Sequence, residues 1–190
     1  MSRGIFFLRR VASAVDSNID ASGDNGFRIN WHHAAKAARP SPLQNRTTAM
    51  TRIDFHTNVP DKIAYACRLV RKAYAANHRV VLMTEDDAQL TELNAAMWAF
   101  SATDFLPHVL AGDPLAPHTP IVLTDNDEAE LPHTELLVNL SRRASARVAE
   151  FERMIEVISS DEDDAAAGRK RYVAYKQQDY PLTHFVTGKS

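Results

Sequence analysis

An α/β fold, a Rossmann-like three-layer sandwich with a mostly parallel sheet and helices on both faces, is predicted by three observations. Strand-like and helix-like segments alternate over residues 50 to 190, the arrangement that builds parallel sheets covered by crossover helices. The run VVLM (80 to 83) is apolar at every position, as a strand buried on both faces must be. Finally, 45% of the 190 residues are hydrophobic, enough for one proper core.

RIDFHT (52 to 57) alternates as a strand does. Pro60 and Asp61 then open a helix whose apolar residues Ile63, Ala66, Cys67, Val70, Ala73 and Tyr74 follow i, i+3, i+4 spacing. RVVLMT (79 to 84) is the second strand. Asp86 and Asp87 sit where acids favour a helix N-terminus, and Leu90, Leu93, Met97 and Trp98 supply the stripe behind them. FLPHVL (105 to 110), PIVLT (120 to 124) and ELLVNL (135 to 140) read as further strands, joined by loops rich in Pro, Asp and Asn. ASARVAEFERM (144 to 154) reads as helical and RMIEVIS (153 to 159) as a strand with a β-branched core. DEDDAAAGRKRYVAYKQQ forms a last helix, acidic at its start and basic over its second half, in agreement with the macrodipole.

The first 49 residues carry scattered Ser, Asn, Asp, Gly and Pro with no sustained periodicity, and read as a disordered or mis-assigned N-terminal extension ahead of a domain at 50 to 190. Met50 would begin that domain; an Arg-rich, acid-free opening also resembles a mitochondrial presequence. Residues 1 to 49 hold 7 Lys+Arg against 3 Asp+Glu, so residues 50 to 190 carry a net charge of −6. Broad cationic binding to duplex DNA is not expected of such a domain. No run of about 18 apolar residues occurs, which excludes a spanning helix.

The chemistry is narrowed further by what the turns contain. The first β-α turn reads HTNVPDK, without the glycines that let backbone N–H groups approach a phosphate, so no nucleotide cofactor is expected. His56, His78, His108, His118, His133 and His184 show no paired metal-ligand spacing, and no metal is expected. The single cysteine, Cys67, lies inside a helical pattern and excludes an internal disulfide. Glu85 and Asp86, at a strand end, could serve as an acid/base pair, yet the same position suits helix capping better.

Two features remain. Trp98, Phe105, Leu106, Pro107 and His108 fall within eleven residues; aromatics and proline on a connection fill a core edge or anchor an interface. In the last helix Arg169, Tyr172 and Lys176 share one face, flanked by Lys170 and Arg171. A solvated helix end is the plain reading, but a basic patch with an interleaved tyrosine also suits a short acidic peptide or carboxylate terminus.

RIDFHT, RVVLMTEDDAQLTELNAAMWAF, DFLPHVLAGDPLAPHTPIVLT and RKRYVAYK, in that order, closely resemble the chi subunit of bacterial DNA polymerase III holoenzyme, over essentially residues 50 to 190. The resemblance implies a non-catalytic, cytoplasmic adaptor of the replisome, without cofactor. Such an adaptor would pair with a psi subunit, which tethers it to the clamp loader, and bind the acidic, phenylalanine-ended tail of single-stranded DNA-binding protein. Contact with DNA would be only indirect. It places the psi-facing surface at Phe105, with Leu106, Pro107 and His108 beside it, and the tail-binding surface at Trp98, Ile158, Arg169, Tyr172 and Lys176. Arg169 would supply a forked cation for the carboxylate, and Trp98, Ile158 and Tyr172 the walls for the terminal ring. The chain has Val173 and Ala165 where some members carry lysines, leaving Lys170, Arg171 and Lys176 as candidates for a second cation. The competing readings are a small α/β enzyme acting on a nucleotide or phosphorylated metabolite, and direct binding of single-stranded DNA by the basic helix.

Overall fold

The computed structural model describes residues 50–101 and 105–188, so the extension expected over residues 1 to 49 lies outside the described residues. Seven strands form one sheet. They are β1 (Arg52–Val59), β2 (Val80–Met83), β3 (His108–Leu110), β4 (Ile121–Thr124), β5 (Leu136–Asn139), β6 (Arg153–Ser159) and β7 (Leu182–Val186), in the order β3-β4-β2-β5-β6-β1-β7. Every pairing is parallel. Three helices accompany them: α1 (Lys62–Ala75), α2 (Asp87–Ala99) and α3 (Glu162–Gln177). The Rossmann-like α/β sandwich is therefore the fold.

Handedness decides which helix covers which face. The crossovers through α1 and α2 both run toward the β3 edge, whereas the crossover through α3 runs from β6 outward to β7. Right-handed connections moving in opposite directions must lie on opposite faces of the sheet. Side-chain alternation in β1 agrees. Ile53 and Phe55 join the cluster containing Tyr175 of α3, while His56, on the other face, meets Tyr65 of α1 through a 2.9 Å contact between Nδ1 and the phenol oxygen. Val80, Val81, Leu82, Ile121, Val122, Leu123 and Val138 are fully inaccessible. At about 1.5–3 kcal/mol for each such side chain, these central strands dominate the driving force.

Each helix starts where an aspartate caps it. Asp61 accepts from Ala64 N–H and Asp86 from Gln89 N–H, both at 2.9 Å. Asp161 accepts from the N–H groups of Asp163 and Asp164 at 3.1 Å. Asp86 thus acts as the cap its position suggested.

Three points differ from expectation. Residues 144 to 154 do not form a helix: a single 3-10 turn at Val148–Glu150 is followed directly by β6. Tertiary bonds outcompete the local ladder, because Thr51 Oγ1 lies 2.9 Å from the Val148 carbonyl and 2.6 Å from that of Phe151, and Asp127 binds Ser145 and Ala146. The chain also continues after α3 into β7, an edge strand beside β1 that the apolar pattern does not signal. In FLPHVL the strand begins only at His108, since Pro107 has no N–H to give a ladder.

Candidate functional site

α3 turns two sides of itself to different tasks. Asp164, Gly168, Arg171 and Tyr175 form its buried stripe. Arg171 is 4% exposed, and its guanidinium lies 3.0 Å from the Glu156 carboxylate in the middle of β6, which also receives Tyr175 Oη at 3.2 Å. Burial pushes the Glu156 carboxyl above the usual carboxylate range, and Arg171, Asn139 and Tyr175 oppose that by binding its charged form. Arg171 is thus withdrawn from the basic patch anticipated on this helix. It belongs to the core.

Beside that stripe, α3 and the ends of β6, β1 and β7 enclose a cleft of about 550 Å³. Phe55 and Thr57 of β1, Ile158 of β6 and His184 of β7 form its floor, and Gly168, Arg169 and Tyr172 form the helix wall. The Tyr172 ring meets Phe55 edge-on, with centroids 5.1 Å apart and planes at 71°. Gly168 permits this seating: a Cβ there would stand 2.4 Å from Ile158 Cδ1. The lining is largely apolar and carries one forked cation, Arg169, which pairs with Glu162 on the same helix at 2.7 Å.

Of the five residues assigned to the tail surface, the fold brings three together in this cleft, Ile158, Arg169 and Tyr172. Lys176 is exposed but does not line it. Trp98 lies outside the cleft. It sits on α2, across the sheet from α3, and its nearest aromatic neighbours are Phe105, at 5.6 Å between centroids, and His108, at 4.9 Å. His184 was missed as a lining residue, because it stands on the strand that the sequence pattern did not reveal.

Trp98 and Phe105 make a second feature, an apolar patch at the β3 edge. They are 59% and 63% exposed, a large apolar area for two side chains without described cover. Leu106 and His108 are buried beneath, with His108 Nδ1 2.7 Å from the Leu106 carbonyl, and Pro107 is half-buried. Phe105 alone of the four residues assigned to the psi surface is fully presented.

A third, polar crevice of about 330 Å³ lies where the strand order reverses, at the C-terminal ends of β2, β5 and β6, lined by Lys62, Glu85, Asp86, Gln89, Arg142 and Asp164 among others. Doubly wound folds bind their ligands at such a point. Here the chain's own carboxylates occupy the anion-binding positions: Asp86 caps α2, Glu85 accepts from the Arg142 N–H, and Asp164 accepts from Ser159 N–H and pairs with Lys62 at 2.9 Å. Ser159 N–H and Lys62 hold the Asp164 carboxyl below the usual range against the opposing effect of burial, which is the largest single contribution.

Comparison with known proteins follows the same boundaries. A family model described as DNA polymerase III chi subunit, HolC, matches residues 50–183. A DNA polymerase III subunit chi from Pseudomonas aeruginosa is 33% identical over 138 residues, covering 70% of this chain and 94% of that protein. Proteins of the same description from Haemophilus influenzae and Escherichia coli are 25% and 23% identical, covering 62% and 61% of this chain and 82% and 79% of their own lengths.

Proposed function

The chain belongs to the DNA polymerase III chi subunit family, and on that premise we propose that it is an adaptor of the replicase with two separate protein-binding surfaces and no catalytic role of its own. Its place in DNA replication, as an accessory subunit of DNA polymerase III, comes with the family. The cleft between α3 and β1 receives the acidic, phenylalanine-ended tail of single-stranded DNA-binding protein. The patch of Trp98 and Phe105 receives a psi subunit, through which the chain joins the clamp loader.

The observation that carries the tail assignment is the placement of Arg169 in a cleft lined by Phe55, Ile158 and Tyr172. A chain ending in phenylalanine offers an aromatic ring and a carboxylate only a few bonds apart. The ring needs apolar walls that can meet it edge-on, and the carboxylate needs a donor fork. Both are present in the cleft. Lys170 and Lys176, outside the lining, add long-range attraction for the acidic residues that precede the terminus, so affinity should fall with salt.

The test is titration of the protein with a short acidic peptide ending in Ile-Pro-Phe. Arg169→Glu is expected to weaken binding at least tenfold, as removal and reversal of a charge-assisted contact should; an unchanged dissociation constant would remove the tail from this cleft. The competing enzymatic reading would use the crevice at the strand ends. Its carboxylates are already spent on caps and ion pairs, and no thermal shift is expected on adding nucleotides.

A further inference from the structure

We propose that His184 is a second anion-recognition residue of the α3–β1 cleft, whose charged form binds the ligand's terminal carboxylate together with Arg169 and makes ligand binding pH-responsive. The inference rests on the tail reading of that cleft and supplies the cation which sequence alone left open.

Position comes first. His184 pairs in register with Phe55, so the two side chains leave their strands on the same face, the one covered by α3. The neighbouring residue Phe185 faces the opposite way and meets His56 at 5.3 Å. His184 and Arg169 therefore line one cleft together with the apolar side chains of Phe55 and Ile158. Lys170, Arg171 and Lys176, the three cations that the helix sequence offers, are not among the lining residues.

Protonation of the ring gives the effect its sign. His184 Nε2 lies 2.8 Å from Thr57 Oγ1, and that hydroxyl also lies 3.4 Å from the Phe185 carbonyl, to which it donates. The contact with Thr57 anchors Nε2 in either neutral tautomer and leaves Nδ1 as the ring nitrogen open to a ligand. Protonation makes both ring nitrogens donors and puts a positive charge on the ring, so the charged form attracts a carboxylate more strongly than either neutral tautomer. Thr57 holds the ring in either state, so protonation changes the chemistry presented without a change of rotamer.

α3 contributes Arg169 and Tyr172 as the ionisable groups lining the cleft with His184, while β1 and β6 contribute Phe55, Thr57, Asn58, Ile158 and Ser159, none of which titrates. The fixed charge of Arg169 opposes a second cation until a carboxylate is bound. An incoming carboxylate favours the protonated ring, so binding and proton uptake are linked, and affinity rises as pH falls through the range in which imidazoles charge.

The experiment uses the full chain and the free-carboxylate acidic peptide ending in Ile-Pro-Phe, titrated at about pH 6 and about pH 8, an interval that spans ordinary imidazole titration and leaves carboxylates ionised. Wild type is expected to bind about threefold to tenfold more tightly at the lower pH, the range for one added charge contact at a partly exposed site. His184→Gln, which keeps a donor for Thr57, is expected to bind equally at both. A C-terminally amidated peptide should likewise lose the pH effect with the wild-type protein, a readout independent of how the variant folds. If His184→Gln retains the wild-type ratio, or the amidated peptide does, the assignment of His184 is overturned even where Arg169→Glu still abolishes binding. If Arg169→Glu binds as wild type does, the tail reading of the cleft falls and the role of His184 falls with it.

Discussion

Arg169 Nη2 donates to Glu162 Oε1 at 2.7 Å across two turns of α3, and both side chains remain largely in solvent, 64% and 85% exposed. A carboxylate already rests on the cation that the proposed ligand must use. Exposed ion pairs of this kind are weak, so Glu162 acts as an internal competitor that a peptide carboxylate can displace. Glu162→Gln is expected to tighten the acidic peptide by about 1.5- to 5-fold, corresponding to the usual strength of such pairs. The gain should shrink at high salt, where the competing pair is screened. Fluorescence anisotropy at two ionic strengths checks both statements; weaker binding in the variant would mean that Glu162 orients Arg169 instead of occupying it.

Gly168 sets the depth of the cleft. An alanine there should gain about 1 kcal/mol in helix propensity and lose about 1–3 kcal/mol to overpacking, since its Cβ would lie 2.4 Å from Ile158 Cδ1 and 3.0 Å from Cγ1. Gly168→Ala is therefore expected to be destabilised by up to about 2 kcal/mol in chemical denaturation, and to lose several-fold in peptide affinity as Ile158 is displaced into the cleft. A stabilised variant with unchanged affinity would show that Ile158 swings clear of the cleft.

The parts of this fold that were legible in the sequence are those where local and tertiary preferences coincide. VVLM could only be a strand buried on both faces, and Asp61, Asp86 and Asp161 announced their helices through side-chain oxygens that do cap them. Legibility failed where a distant group decided the local conformation. Nothing within residues 144 to 154 reveals that Thr51 will take the carbonyls of Val148 and Phe151. β7 shows only two half-buried residues, Leu182 and Phe185, and three exposed ones, so its apolar period is faint and its identity rests on pairing with β1. The cleft followed the same rule. Arg169 and Tyr172 were readable from one helix, whereas Phe55, Thr57 and His184 reach it only through the strand order, and Trp98 is carried to the other face by the direction of its crossover.

His56 offers a check on the buried face of β1. The side chain is inaccessible, and burial lowers its pKa from 6.5 to about 4, with Asp54 opposing and Arg153 assisting. Between these two values the unfolded chain binds a proton that the native protein does not, so stability rises with pH across that window and is lost as pH falls from about 6.5 toward about 4. The loss expected from this group is of order 3 kcal/mol. Urea denaturation at a series of pH values should show the slope, and His56→Gln should flatten it. A slope that persists unchanged in the variant would assign the effect to other groups.

The patch at the β3 edge makes the final case, because its two aromatics come from different elements and meet only in the folded state. Trp98 ends α2 and Phe105 precedes β3, and their rings lie 5.6 Å apart at 42°. Exposed aromatics of this size are typical of interface anchors. If both serve the psi subunit, Phe105→Ala and Trp98→Ala should each weaken co-purification with psi by at least tenfold, the loss typical of an anchor residue, and the double variant should lose less than the sum, as touching residues do. Neither change should alter acidic-peptide binding by more than about twofold, since the cleft lies across the sheet. Loss of peptide binding in Trp98→Ala with psi association intact would return the tryptophan to the tail site and would require the tail to reach around the sheet.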